Sequence, residues 1–490
     1  MKNTKFLFAG LLICLFCSNL FAKGDTYTYN YWDDPENSPD AYRVSHVLYA
    51  DDLKLDVPLK NPQSVFAWNN HIFVADTDNS RIIELEYTEK KTLLPVRIID
   101  HVNDSPLVEI TKLNRPYDIF VSDEGIMYIA DTDNGRVLKT DYDLNVIHVY
   151  IEPDDPTYEK DKAFLPLKVI ADDKGRVFIL SRNGNKGFFK YEYDGTFAGF
   201  YGATKVIISA ADRLWKKLAT EAQKARMQLF VPTEYSNCYM DKEGFIYAVT
   251  KSFEDGDLFS GKAKPIRRLN ALGNDILVQN GYQLSIGDLK SGNAGGVSGF
   301  SKIVDITVLD NEIYLALDEN RGRIFAYDNQ GYLLFVFGGR GNIDGFFRSP
   351  ASMDHIGKDL FVVDSVTAAI TVFTPTEFGN LIYKAEEQFS VGEYDESAET
   401  WAKVLELNGN YALGYIGLGK SYLRQKKYKE AMDCFKLKRD RRDYSKAFKY
   451  YRKEWVEKNF AWIVILLVAI VLIPLIVRVV KRIRWEISTL

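Results

Sequence analysis

Cysteine and histidine are scarce in this 490-residue chain, with four of the first and five of the second. Cys14 and Cys17 fall in the apolar N-terminal stretch, leaving Cys238 and Cys434 in segments that read as different domains. That argues against a disulfide framework or a C-x-x-C metal site and assigns both residues to small buried apolar positions. His46, His71, His101, His148 and His355 are spread one per region with no i, i+4 pair, which argues against a histidine-rich zinc centre. No G-x-S-x-G elbow, HExxH, P-loop or EF-hand spacing is present, so no catalytic residue is assigned. Charge excess is lacking too. The 62 basic and 67 acidic residues leave a net charge of −5, too weak for a nucleic-acid surface. With 46% apolar and 14% aromatic residues, the composition is that of a folded protein.

Repetition fills the middle of the chain. Asn114 to Val137 reads NRPYDIFVSDEGIMYIADTDNGRV, and Asn61 to Ile82 reads NPQSVFAWNNHIFVADTDNSRI. Asp76 and Asp131 lie 131 − 76 = 55 positions apart, within the range of propeller blades. Shorter or altered copies follow at Leu165–Gly195, Glu234–Thr250, Lys302–Gly331 and Ser349–Phe373, for a count of six. Each copy is a set of strands too thin to bury both faces alone, so the copies must pack radially. This pattern resembles the NHL repeat family, and the resemblance implies an all-β six-bladed propeller over residues 61–376. Residues 23–60 would supply a strand, AYRVSHVLYA, that closes the last blade and leaves no free edge.

Two insertions interrupt the repeats. Residues 209–230 begin with a Ser209-x-x-Asp212 capping box and show Leu214, Leu218, Ala222, Ala225 and Leu229 at helical spacing, which predicts an amphipathic helix. Residues 252–299 are rich in Gly, Ser and Asp and read as a long loop.

The hydrophobic period changes after Thr374. Tyr394 and Tyr428 stand 428 − 394 = 34 residues apart, and Gly419, Tyr422, Ala431 and Phe435 occupy small and aromatic positions. Residues 377–459 thus resemble tetratricopeptide repeats, with a final helix from Tyr444 to Trp455 capping the stack. Residues 460–480, FAWIVILLVAIVLIPLIVRVV, are long and apolar enough to span a bilayer. At the other end Lys2, Lys5 and the apolar run up to Ala22 read as a signal peptide, residues 1–22. Neither leader cysteine follows a small residue, so lipidation is not expected. Arg478, Lys481, Arg482 and Arg484 then place the tail, residues 481–490, in the cytoplasm and the rest outside it, in a single-pass type I arrangement.

Aligning the repeats on their turns places Ser64, Asp118, Lys168, Asn237, Asp305 and Ser352 at one shared position on the innermost strand. Such a position rings a mouth of the central channel. Asp118, Asn237 and Asp305 are oxygen donors that suit a hard cation such as calcium. A likeness to gluconolactonase-type propellers would make them metal ligands of a hydrolase or lactonase; Lys168 in the same ring would repel the cation. No other cofactor is expected. Asp76, Asp131 and Asp364, with Asn79/Arg81 and Asn134/Arg136, read as scaffold that ties strands together. The reading that follows is a membrane-anchored extracytoplasmic scaffold that recruits a protein partner, membrane-associated and accessory to a transport or envelope complex. A metal-dependent lactonase and a carbohydrate-binding propeller are the alternatives.

Overall fold

The computed structural model describes residues 26–32, 34–155, 158, 163–182, 184, 186–202, 235–251, 253, 256–257, 260, 263–281, 284–288 and 299–489. The leader and the helix expected at 209–230 lie outside these residues. The described chain divides into two compact units, up to Asn380 and from Leu381.

The first unit is a β-propeller. Its N-terminal segment supplies β1 (Tyr27–Tyr29), β2 (Pro35–Asn37) and β3 (Tyr42–Leu48). One sheet follows as β4 (Pro62–Trp68), β5 (His71–Asp76), β6 (Arg81–Tyr87) and β7 (Leu93–Ile99). The second holds β8 (Pro116–Val121), β9 (Met127–Asp131), β10 (Arg136–Thr140) and β11 (Val146–Tyr150). The third holds β12 (Pro166–Ala171), β13 (Val177–Ser181), β14 (Phe188–Tyr191) and β15 (Phe197–Tyr201). A sheet of three strands comes next, β16 (Asn237–Met240), β17 (Ile246–Val249) and β18 (Ile266–Leu269). After it come β19 (Ile303–Val308), β20 (Tyr314–Asp318), β21 (Arg323–Tyr327) and β22 (Leu333–Arg340), widened by β1, β2 and the short β23 (Phe346–Phe347). The last sheet is β24 (Pro350–Ile356), β25 (Asp359–Asp364) and β26 (Ala369–Pro375), completed by β3. Five sheets therefore have four strands or more and are complete blades. Their first strands meet in a closed circuit, β4 to β8 to β12, through β16 to β19 and β24, and back to β4.

The turns follow from the sequence. Gly125, Gly175 and Gly244 end the turns after β8, β12 and β16 with φ of +79°, +74° and +81°, a region where a side chain is strained. The shared aspartates act at the opposite ends of the strands. Asp131 accepts hydrogen bonds from the Asn114 N–H at 2.7 Å, from Asn134 Nδ2 at 2.8 Å and from Arg136 Nε at 2.8 Å. Asp76 repeats this with the Lys60 N–H, Asn79 and Arg81. Thr77 and Thr132 donate to the carbonyls of Pro116 and Pro166, each on the next blade. These bonds satisfy backbone groups at the points where the chain changes blade.

The long Gly/Ser/Asp stretch is not wholly loop. Ile266–Leu269 pairs along β17, with Ile266 and Leu269 buried and Arg267 and Arg268 between them. Its two apolar residues are too few to show a period.

The second unit is helical: α1 (Glu377–Val391), α2 (Tyr394–Leu407), α3 (Ala412–Arg424), α4 (Tyr428–Leu437) and α5 (Arg441–Ser488). Consecutive helices from α2 onward pack on one another. Small residues let them approach: a Cβ on Gly417 would stand 2.3 Å from the Trp401 ring, and one on Gly419 would stand 2.7 Å from the Phe435 ring. The expected cap and span are one element, since α5 runs 48 residues without a break. It contains an 18-residue window of mean hydropathy 3.3 with none of it buried, which fits a membrane anchor. Pro474 lies inside it and removes the donor to the Ile470 carbonyl, a loss that helices in lipid tolerate.

Candidate functional site

The six residues aligned from the sequence do meet, though not as an open mouth. All six are buried in a belt around the axis. A β-bulge sits immediately before Ser64, Asp118, Lys168, Asp305 and Ser352, where the preceding residue is skipped in the pairing with the second strand of each blade. Such a bulge re-aims the side chain that follows it. Here it turns the residue toward the neighbouring blade. Asp118 accepts from the Val169 N–H at 3.0 Å, Asp305 from the Met353 N–H at 2.7 Å, and Ser352 Oγ from the Val65 N–H at 3.1 Å. In each case the donor follows the belt residue of the next blade, so the belt is a set of inter-blade ties.

Ser64, Asp118 and Lys168 also bond to one another through their side chains, as do Asp305 and Ser352. Asp118 Oδ1 accepts from Ser64 Oγ at 2.5 Å and from Lys168 Nζ at 2.9 Å. Asp305 Oδ2 accepts from Ser352 Oγ at 2.6 Å, and Asp305 Oδ1 from the Ile306 N–H at 2.8 Å. Asn237 Oδ1 accepts from the Cys238 N–H at 2.8 Å. Burial raises the Asp118 carboxyl above its ordinary range, and Lys168 and the hydrogen bonds only partly offset this. Burial likewise pushes Asp305 up to about 6, again offset in part by Lys168. Burial by itself loosens the Lys168 proton, but Asp118 and Asp305 outweigh it and the ammonium is held more firmly than usual. Burial pushes the Cys238 thiol well up, so it stays protonated and unreactive at neutral pH.

As a metal centre the belt is a poor match on its own chemistry. Asp118 and Asp305 already accept three hydrogen bonds each, and Asp118 holds the Lys168 ammonium where a cation would bind. Among the described residues no group of three or more His, Cys, Asp or Glu is arranged to hold a metal ion.

Above the belt the channel opens into a cavity of about 460 Å³ that reaches the turns after β8, β12 and β16. Lys168 and Asp305 are the two belt residues that line it. One wall carries Phe66 and Phe120, with ring centroids 5.2 Å apart, and Trp68. The other carries Tyr239 and Asp354. Asp354 accepts from the Ala67 N–H at 2.8 Å and from Thr307 Oγ1 at 3.0 Å, and Thr307 Oγ1 lies 2.7 Å from His355 Nδ1. Alignment of the repeats at the belt position alone misses this second layer. Phe66, Phe120, Tyr239, Thr307 and Asp354 stand two residues further along their strands, where the period of two returns a side chain to the same face.

No family model matches the sequence, and no curated protein matches it. Among solved structures the chain is similar to virginiamycin B lyase from Staphylococcus aureus, at 9% identity and a TM-score of 0.40, covering 68% of this chain and 99% of that one. A structural genomics protein of unknown function from Bacteroides thetaiotaomicron matches at 11% identity and a TM-score of 0.39, over 70% of this chain and 78% of that one. The extracellular domain of a hybrid two component system from the same organism matches at 12% and 0.38, over 69% of this chain and 43% of that one. Nothing about ligand or chemistry follows from these likenesses.

Proposed function

We propose that the chain is a membrane-anchored binding protein that keeps its propeller and its helices outside the cytoplasm and recruits a protein partner at the membrane surface. The observation that carries this reading is α5. Its N-terminal part packs on α4, with Asp443 and Ala447 buried, and the same helix continues into a bare apolar segment of spanning length. A helical surface joined rigidly to its anchor is suited to a partner in the same membrane. In this reading the three-stranded sheet counts as a sixth blade, the blades are of the NHL kind, and residues 377–459, α1 to α4 with the start of α5 as cap, are tetratricopeptide-like helices. The belt supports binding over catalysis, since its polar groups are engaged in tying blades together.

The test is chemical cross-linking in intact cells followed by capture of the tagged full-length chain. Recovery of a defined membrane complex supports the reading, and recovery of the chain alone under all conditions sinks it. Metal analysis separates the lactonase alternative: a stoichiometric divalent ion lost in Asp118→Ala with Asp305→Ala would favour an enzyme. A Ser488→Cys variant labelled by an impermeant maleimide only after permeabilisation would support a cytoplasmic tail.

A further inference from the structure

The belt leaves two features of the cavity unused. Lys168 is 8% exposed and lines the cavity floor, and its ammonium has one hydrogen-bonded partner among the described residues, Asp118. An ammonium has three donors, so two remain for an acceptor brought into the cavity. Trp68 Nε1 is a further buried donor with no partner among the described residues, on a side chain that lines the same space.

The second feature is charge. Eight carboxylates line the cavity against two ammonium groups, Lys168 and Lys242. Asp123, Glu124, Asp173 and Glu243 are exposed on three successive turns, so the negative arc faces solvent along half the rim. Asp172 is paired with Arg176, and Asp241 and Glu243 with Arg268, but Asp123, Glu124 and Asp173 on the exposed turns are matched by no ammonium of the lining, since Lys168 pairs with Asp118 and Lys242 with Asp310. Between rim and floor lie the Phe66, Phe120 and Trp68 rings, surfaces that attract a desolvated cation.

The floor decides what the acceptor can be. Asp118, Lys168 and Asp305 together bring two carboxylates and one ammonium, so a ligand carboxylate would meet a negative balance. A neutral carbonyl oxygen would not. The arc is also too long for a single charge. We propose that this cavity seats a basic peptide segment, a backbone carbonyl accepting from Lys168 while lysine or arginine side chains lie between the aromatic wall and the rim carboxylates. The proposal rests on the reading of the chain as a protein-binding propeller and names the chemistry of what the propeller binds.

Binding of a fluorescein-labelled, C-terminally amidated (Lys-Gly)₄ peptide to the full-length protein in nanodiscs, followed by anisotropy, tests it. Asp123→Asn with Glu124→Gln and Asp173→Asn, all on exposed turns, is expected to weaken binding at least tenfold, and a (Glu-Gly)₄ peptide is expected not to bind. Lys168→Met separates the cavity from general attraction. Removing a positive charge strengthens any purely electrostatic capture of a cationic peptide, whereas loss of the carbonyl contact weakens it, here by at least fivefold, with Lys168→Arg restoring part of the affinity. Near-UV circular dichroism checks that each variant is folded, and the rim variant stands as the test should Lys168→Met unfold. Tighter binding by folded Lys168→Met, unchanged binding by the rim variant, or displacement of the peptide by equimolar methylamine overturns the proposal. If the cross-linked membrane complex survives the rim substitutions, only the peptide site is discarded; if no complex exists in the wild type, the reading beneath it falls as well.

Discussion

Lys168→Met is the perturbation that weighs most on the propeller itself. It removes the ammonium from a buried pair whose partner, Asp118, has no exposed surface. Breaking such a pair from one side costs about 3–5 kcal/mol, because a carboxylate is left buried with only the Ser64 hydroxyl and the Val169 N–H to hold it. The cost depends on pH in a definite direction. Burial already raises Asp118 above its ordinary value, so the folded state keeps that proton more tightly than the unfolded chain. Stability from this group is fully present below the ordinary carboxylate range and is lost as pH rises through the folded value. Without Lys168 that folded value rises further, and Asp305, already near 6, moves the same way. The penalty should therefore be largest near pH 7.5 and shrink on acidification by at most about 1.4 kcal/mol per pH unit for each carboxylate. Unfolding of the full-length protein in detergent, at pH 7.5 and pH 5.5, measures it. Asp118→Leu with Lys168→Met should cost less than Lys168→Met alone at pH 7.5, since no unpaired charge remains. An equal penalty at both pH values, or a double variant as unstable as the sum of its parts, would refute the reasoning.

Other sites give sharper local readouts. Asp131→Ala leaves Arg136 buried and the Asn114 N–H without its acceptor, so hydrogen exchange at Asn114 should rise and stability fall by about 3–5 kcal/mol; protection equal to wild type would contradict the latch. Gly417→Ala pushes a methyl group into the Trp401 ring and should cost about 1–3 kcal/mol in far-UV thermal unfolding of the helical signal, with no loss if the helices can part freely. Tyr42→Ala removes a ring stacked on Phe337 at 4.7 Å and a hydroxyl bonded to the Lys358 carbonyl, for about 3–5 kcal/mol; limited proteolysis should then cut near residues 369–375, and an uncut variant would count against the role of β3.

The inner strands were readable from the repeats alone. In four of the six repeats a proline followed two residues later by a polar side chain marked the belt position, and alignment on the turns placed Asn237 and Asp305. The orientation of the belt was not readable. It depends on a bulge whose extra residue is Gln63, Tyr117, Leu167, Val304 or Ala351, which share no chemistry. A position aligned as a channel mouth thus became a floor, and Asp118, which looked like a ligand, holds a neighbouring strand and Lys168. Asp354 and Thr307 carry no such mark because each occurs in one repeat only. Ile266–Leu269 was hidden because a strand whose middle residues are arginines looks like loop. In the helical unit, the 34-residue spacing pointed to Tyr394 and Tyr428, and these open α2 and α4.

The pairing of β3 with β26 sets an order of events. Tyr42 finds its carbonyl partner 316 residues later in the chain, and until the final strand emerges the disc is an open crescent with an unpaired rim. Contacts so distant form slowly, and an unpaired strand is a template for the wrong neighbour. A chain made from its N-terminus must hold that crescent through synthesis of nearly all its blades, and the apolar part of α5 follows soon after closure. A truncated product ending before Ala369 would leave β3 without its partner β26 and would lack the apolar helix, so incomplete chains expose an unpaired strand.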